Sequence, residues 1–193
     1  MKTDNTIKRN LIGALALALM TTVFPVLAGE KTEDQLIAEL ASSNERKVTD
    51  ALLKLEKQYP TSTNAFPTMK QLLKDPREKV RRKAARVLGA LHAEVDADNI
   101  KSICALLKST TTEEVIDGLK ALRGLKAQSA IPEITPLLSN TSLHPNIIRD
   151  ACRTLAVLGD KDTIKVIEPL LTNPNKAIQQ DAQDAIYVLK NKS

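Results

Sequence analysis

Residues 75–91 read Asp75-Pro76-Arg77-Glu78-Lys79-Val80-Arg81-Arg82-Lys83-Ala84-Ala85-Arg86-Val87-Leu88-Gly89-Ala90-Leu91. Val80, Ala84, Leu88 and Leu91 fall at offsets 0, +4, +8 and +11, which keeps one face of a helix apolar at 3.6 residues per turn. The pattern returns at Ile147-Ala151-Leu155-Leu158 and at Ile178-Ala182-Ile186-Leu189. Its small residue recurs at Ala51, Ala84, Gly118, Ala151 and Ala182, in steps of 33, 34, 33 and 31 residues. A small side chain there lets two helices approach closely. A self-similar period of this length predicts a stacked solenoid rather than one closed globule.

Working outward, each unit carries an earlier apolar stretch with three-residue steps, such as Ile100-Ile103-Leu106 and Ile164-Ile167-Leu170, each followed by a further Leu. That widens the stripe to a helical face. Each repeat is therefore an A helix followed by a B helix. Asp75-Pro76, Asn173-Pro174 and His144-Pro145-Asn146 separate them, with Asp or Asn placed to cap B-helix amides. Gly159-Asp160 is a stop signal after the fourth B helix. Pro67 aligns with Pro132 and Pro136 with Pro169, which predicts bent A helices on the outer layer. The expected class is all-α: a right-handed α-solenoid of about five two-helix repeats.

The segment from Asp75 to Leu91 resembles a HEAT repeat of the short bacterial type, similar to those of phycobilisome lyases, and Ile148-Arg149-Asp150-Ala151-Cys152 through Asp160 resembles it too. The Asp75 to Arg81 spacing is similar to the Asp–Arg ladder of that family. The third repeat departs with Gly118 and no Asp-Pro turn, and the fifth has Asn173 and Gln179. The resemblance covers roughly residues 33–190. It implies a scaffold, an adaptor or an enzyme accessory protein.

Residues 1–28 read as a leader. Lys2, Lys8 and Arg9 precede an uncharged stretch of 18 residues, Leu11 to Ala28, ending Val26-Leu27-Ala28. This predicts a cleaved signal peptide and a periplasmic or secreted chain, with residues 29–193 as a single solenoid domain. The alternative is a retained anchor, although Pro25 interrupts the end of the stretch. After cleavage no membrane span is expected.

The remaining chain carries a formal charge of +3 and only Tyr59, Phe66 and Tyr187 as aromatics. That points away from nucleic acid and base stacking. No motif places a nucleophile, a catalytic base, a cofactor loop or a metal-ligand set around His92 or His144. No catalytic residue, cofactor or metal is therefore assigned. The acidic loop with Glu94, Asp96 and Asp98 reads as a helix cap in solvent, with a calcium site as the alternative. Cys104 falls at an exposed A-helix position and Cys152 on a B-helix flank; they are either two free thiols or a bridge.

The candidate functional surface comes from helix phase. The column opposite the B-helix apolar face reads Leu53, Arg86, Lys120, Arg153 and Asp184, beside Thr49, Arg82, Ile116, Arg149 and Gln180. Arg82, Arg86, Lys120, Arg149 and Arg153 are thus the expected partner-binding residues on a concave, basic face that selects an acidic protein surface. The competing reading is a solvated face neutralised within each helix by Asp117 with Lys120 and Asp150 with Arg153. The functional expectation is an exported protein-binding scaffold, with an enzyme or enzyme accessory subunit as the alternative.

Overall fold

A computed structural model describes residues 30–192. The leader, residues 1–28, lies outside the described residues.

Among the described residues, ten α-helices follow one another as five pairs. The A helices are α1 (Glu33–Glu39), α3 (Phe66–Leu72), α5 (Ala97–Leu106), α7 (Ile131–Ile134) and α9 (Ile164–Ile167). The B helices are α2 (Glu45–Gln58), α4 (Glu78–Ala90), α6 (Thr112–Gly124), α8 (Pro145–Leu158) and α10 (Lys176–Lys190). Each B helix packs on its own A segment and on the next B helix, so α2, α4, α6, α8 and α10 form one continuous layer. Adjacent A segments touch far less. The B helices thus form the more continuously packed of the two layers.

The core is a ribbon between the two layers. Ala51, Ala84, Ala151 and Ala182 are fully buried, as are Leu88, Leu122 and Leu155. At the equivalent position in α6, a Cβ on Gly118 would stand 3.1 Å from Leu106 Cβ of α5. The small residue thus sets the distance between the helices of a pair. Methyl and isobutyl groups fill the ribbon at about 25 cal/mol per Å² of buried apolar surface, and each pair depends on its neighbours for that burial.

The prolines do more than bend the A helices. In the fourth and fifth repeats the A segment breaks into a 3₁₀ turn, one α turn and a second 3₁₀ turn, with Pro136 and Pro169 at the second break. Proline has no N–H to continue the ladder, so carbonyls are left over. Just before Pro136, the Thr135 amide and Oγ1 both donate to Ile131 O, the latter at 2.9 Å. Pro67, in the first turn of α3, causes no break.

The turn signals act slightly apart from their expected places. Asp75 does not cap α4; its carboxylate accepts from the Arg77 amide at 2.8 Å and from the Arg77 guanidinium at 2.8 and 2.7 Å. Asn173 likewise braces the turn, and Asn175 is the cap of α10. His144 does cap α8, its Nδ1 accepting from the Asn146 amide. Gly159 keeps an ordinary negative φ, and a side chain there would collide with Thr163. Asp96 caps α5 by accepting from the Asn99 amide at 2.8 Å. Cys104 is buried, contrary to its expected exposure, and the 3₁₀ turn Gln128–Ala130 of the next repeat packs on α5; both cysteines are free thiols. Among the described residues no helix is long and apolar enough to cross a membrane.

Candidate functional site

The five basic residues do share one flank of the B layer, but four of them are already engaged. Arg82 lies 3.2 Å from Asp117, and Arg86 donates to Glu56 at 2.6 Å. Arg149 and Arg153 both donate to Asp181, at 2.6 and 3.0 Å. These pairs run between successive B helices rather than along one helix. The expected pairing of Asp117 with Lys120 and of Asp150 with Arg153 is therefore replaced: Asp117 faces Arg82, and Asp150 faces Arg123 at 3.6 Å. The reason is reach. An Arg on one B helix spans to a carboxylate on its neighbour while its methylenes cover apolar surface between the helices.

Lys120 differs. It is exposed, and among the described residues no carboxylate lies within ion-pair distance of it. Asp117 acts on it only through space.

The resemblance to the Asp–Arg ladder also takes a different form. Arg77, not Arg81, clasps Asp75 and donates to the carbonyls of Ser42 and Ser43 in the preceding repeat, at 3.1 and 2.9 Å. Arg81 donates to the carbonyls of Asp75 and Pro76 and to buried Glu114 in the following repeat. The two arginines thus tie three repeats together. The Arg77 guanidinium holds the Asp75 carboxyl below the usual carboxylate range. Asp117 is pushed the other way, because burial outweighs its cationic neighbours. Burial also lowers Lys83, helped by nearby Arg86.

The acidic partners had a signal in the sequence. Position +3 of the B helices reads Asp50, Lys83, Asp117, Asp150 and Asp181. The last three are the carboxylates that receive arginines from the preceding helix. A second feature carries no obvious sequence mark. His92 and Lys126, at φ 51° and 52°, are the two non-glycine residues with positive φ among the described residues. Each follows a B helix, and each sits in a Schellman turn: the Ala93 amide donates to Leu88 O and the Ala127 amide to Leu122 O, both at 3.0 Å. Glycine is the ordinary occupant of that position.

These two turns are drawn together by Gly89 and Gly124. A Cβ on Gly124 would run into the Gly89 backbone, and one on Gly89 would meet Ala121 Cα at 2.6 Å. His92 Nδ1 then reaches Gly124 O at 2.8 Å. Since a carbonyl only accepts, Nδ1 carries the hydrogen. Among the described residues no cluster of three metal-ligating side chains occurs.

With this geometry the chain can be set beside known proteins. The complex of CpcE and CpcF of phycocyanin lyase from Nostoc superposes with a TM-score of 0.70 and 24% identity, covering 86% of this chain and 68% of that one. The fold is a HEAT-like α-solenoid. A designed armadillo repeat protein in complex with the peptide (KR)4 matches this solenoid with a TM-score of 0.61 and 17% identity, covering 80% of each chain. The human stalled ribosome sensor GCN1 is 26% identical over 153 residues, 72% of the chain, and the mouse protein 30% over 92 residues, 45% of the chain. The solenoid spans only 5% of the human protein and 3% of the mouse one. No family model matches the sequence.

Proposed function

We propose that this HEAT-like solenoid is an exported, periplasmic scaffold or adaptor, not itself an enzyme, that binds a protein partner through the B-helix flank. The observation that carries the reading is the flank itself. Five B helices present one continuous surface whose arginines are braced by acids of the adjacent helix, leaving their remaining donors in a fixed array. A surface organised across repeats, rather than a cleft within one, suits an extended partner. The basic residues favour an acidic segment and speed its encounter. The designed armadillo repeat protein similar in fold holds an extended peptide, there the basic (KR)4. Export rests on the basic start, the apolar run and the Val26-Leu27-Ala28 ending.

The test must respect the ion pairs. Reversing Arg86 or Arg153 would set a carboxylate against Glu56 or Asp181, so loss of binding would be confounded with loss of fold. Lys120→Glu has no such partner. Crosslinking and pull-down from the exported compartment should capture a protein on the wild-type chain and much less on Lys120→Glu. Equal capture by both removes the B-helix flank from the interface. The mass of the chain recovered from that compartment should lack residues 1–28; a full-length mass removes the cleaved leader. The alternative, an enzyme accessory role, draws on the likeness to the phycocyanin lyase complex. A chromophore copurifying with the chain would favour it.

A further inference from the structure

Four cavities among the described residues stand out, and three contain at least one carboxylate in their walls. The remaining one, of about 490 Å³, lies where α4 and α6 end. Its walls include Arg86, His92, Lys120, Arg123 and Lys126, and no Asp or Glu. Val157 of α8, an exposed aliphatic residue, closes one side. Glu56 and Asp150 balance Arg86 and Arg123 from outside the cavity, and the α4 and α6 C-termini favour cations nearby, so Lys120 and Lys126 are the wall charges left without an ion pair among the described residues.

The fold bears a cost to build this cavity. His92 and Lys126 both occupy the left-handed region, where a Cβ is disfavoured and glycine is the stable choice. Strain of this kind concentrates at functional sites. Here it places two basic side chains on the same rim, and the Gly89–Gly124 approach brings those turns together. The other basic groups are only partly committed. Arg123 Nη1 is 3.6 Å from Asp150 and makes no hydrogen bond, Arg86 gives both Nη groups to Glu56 and leaves only Nε without a partner, and Lys120 is unpaired among the described residues.

We infer that this cavity is the anchor point for carboxylates of an acidic protein segment, with an aliphatic side chain of that segment packing on Val157. This rests on the reading of the chain as a protein-binding scaffold and says where on the flank the partner is held. The aliphatic wall favours a peptide carboxylate over a free inorganic anion, which would have nothing to set against it.

The experiment uses the chain from residue 29 onward with a synthetic peptide of alternating Glu-Glu-Leu triplets. The variant Lys126→Gly removes a rim charge and relieves the left-handed strain. It should therefore unfold at a higher temperature than wild type and yet bind more weakly. Together with Lys120→Ala, the loss of affinity should be at least about tenfold. Amide shifts on peptide titration should centre on residues 86–92, 120–126 and 157, and should diminish with added salt. Unchanged affinity in the double variant, or shifts elsewhere, overturns the assignment. Inorganic pyrophosphate displacing the peptide at equal concentration overturns the peptide-carboxylate source. The two claims separate through Lys120→Glu: a natural partner captured equally by wild type and double variant but lost on Lys120→Glu sinks the pocket and leaves the B-helix flank standing. Peptide binding at these residues with no partner captured does the reverse.

Discussion

Asp181 of α10 accepts from Arg149 of α8 at 2.6 Å, and the same carboxylate accepts from Arg153 one turn further along. One buried acid thereby holds two half-exposed guanidiniums in place across a repeat boundary. The same logic recurs at Arg82 with Asp117, although there the Arg82 Nε–H does not point along the line to the carboxylate and the contact is purely electrostatic. The B-helix flank is thus a lattice of cross-helix pairs with a few uncommitted cations.

Asp181→Ala should lower stability by about 2 kcal/mol. Removing one partner of a buried pair costs more than that, but here the arginines can turn toward water. Urea unfolding measures the change, and an effect under about 0.5 kcal/mol would mean the pair is only surface decoration.

Gly124→Ala should destabilise by about 3 kcal/mol, because a methyl group would have to displace the Gly89 backbone. In an unhindered helix the same change stabilises by up to about 1 kcal/mol. The sign of the shift in the thermal midpoint therefore decides whether the α4–α6 approach is as close as described.

The acid limb of stability should respond oppositely to two aspartates. Asp75 titrates below its ordinary 3.8 in the folded chain. Its contribution is present above that value and is lost as pH falls through the folded pKa. Asp117 titrates above 3.8, so the native chain takes up its proton before the unfolded chain does, and acidification relieves its burial. Asp75→Asn should make the fall in stability on acidification shallower, and Asp117→Asn should make it steeper. Chemical denaturation at a series of pH values between 3 and 6 checks both.

Burial pushes the Cys104 thiol up to about 11 and the Cys152 thiol up to about 12. Few thiolates exist at neutral pH, and access is restricted as well. Iodoacetamide at pH 8 should therefore label the native chain far more slowly than the urea-unfolded chain, with Cys152 the slower of the two. Rapid native labelling of Cys152 would contradict its full burial on α8.

The repeat, the pairing of helices and the identity of the buried row were legible in residues such as Ala51, Ala84, Ala151 and Ala182. Periodic apolar burial leaves its mark at every turn of every helix, so a linear reading recovers it. The basic column was legible too, as a set of residues on one flank. What the linear reading could not assign was each cation's partner. It set Asp150 against Arg153, three residues away, whereas the chain sets it against Arg123 on the preceding B helix.

The order of helices, the period and the apolar face follow from local chemistry alone, since a helix of 3.6 residues per turn converts spacing directly into direction. The partners of Arg82, Arg86 and Arg149, the burial of Cys104, the left-handed turns at His92 and Lys126 and the acid-free cavity between them belong to the tertiary structure. The ion pairs and the burial of Cys104 depend on which helices stacking sets side by side, and the two turns with their cavity depend on how closely α4 approaches α6, a distance set by Gly89 meeting Gly124, residues 35 positions apart that no local pattern joins.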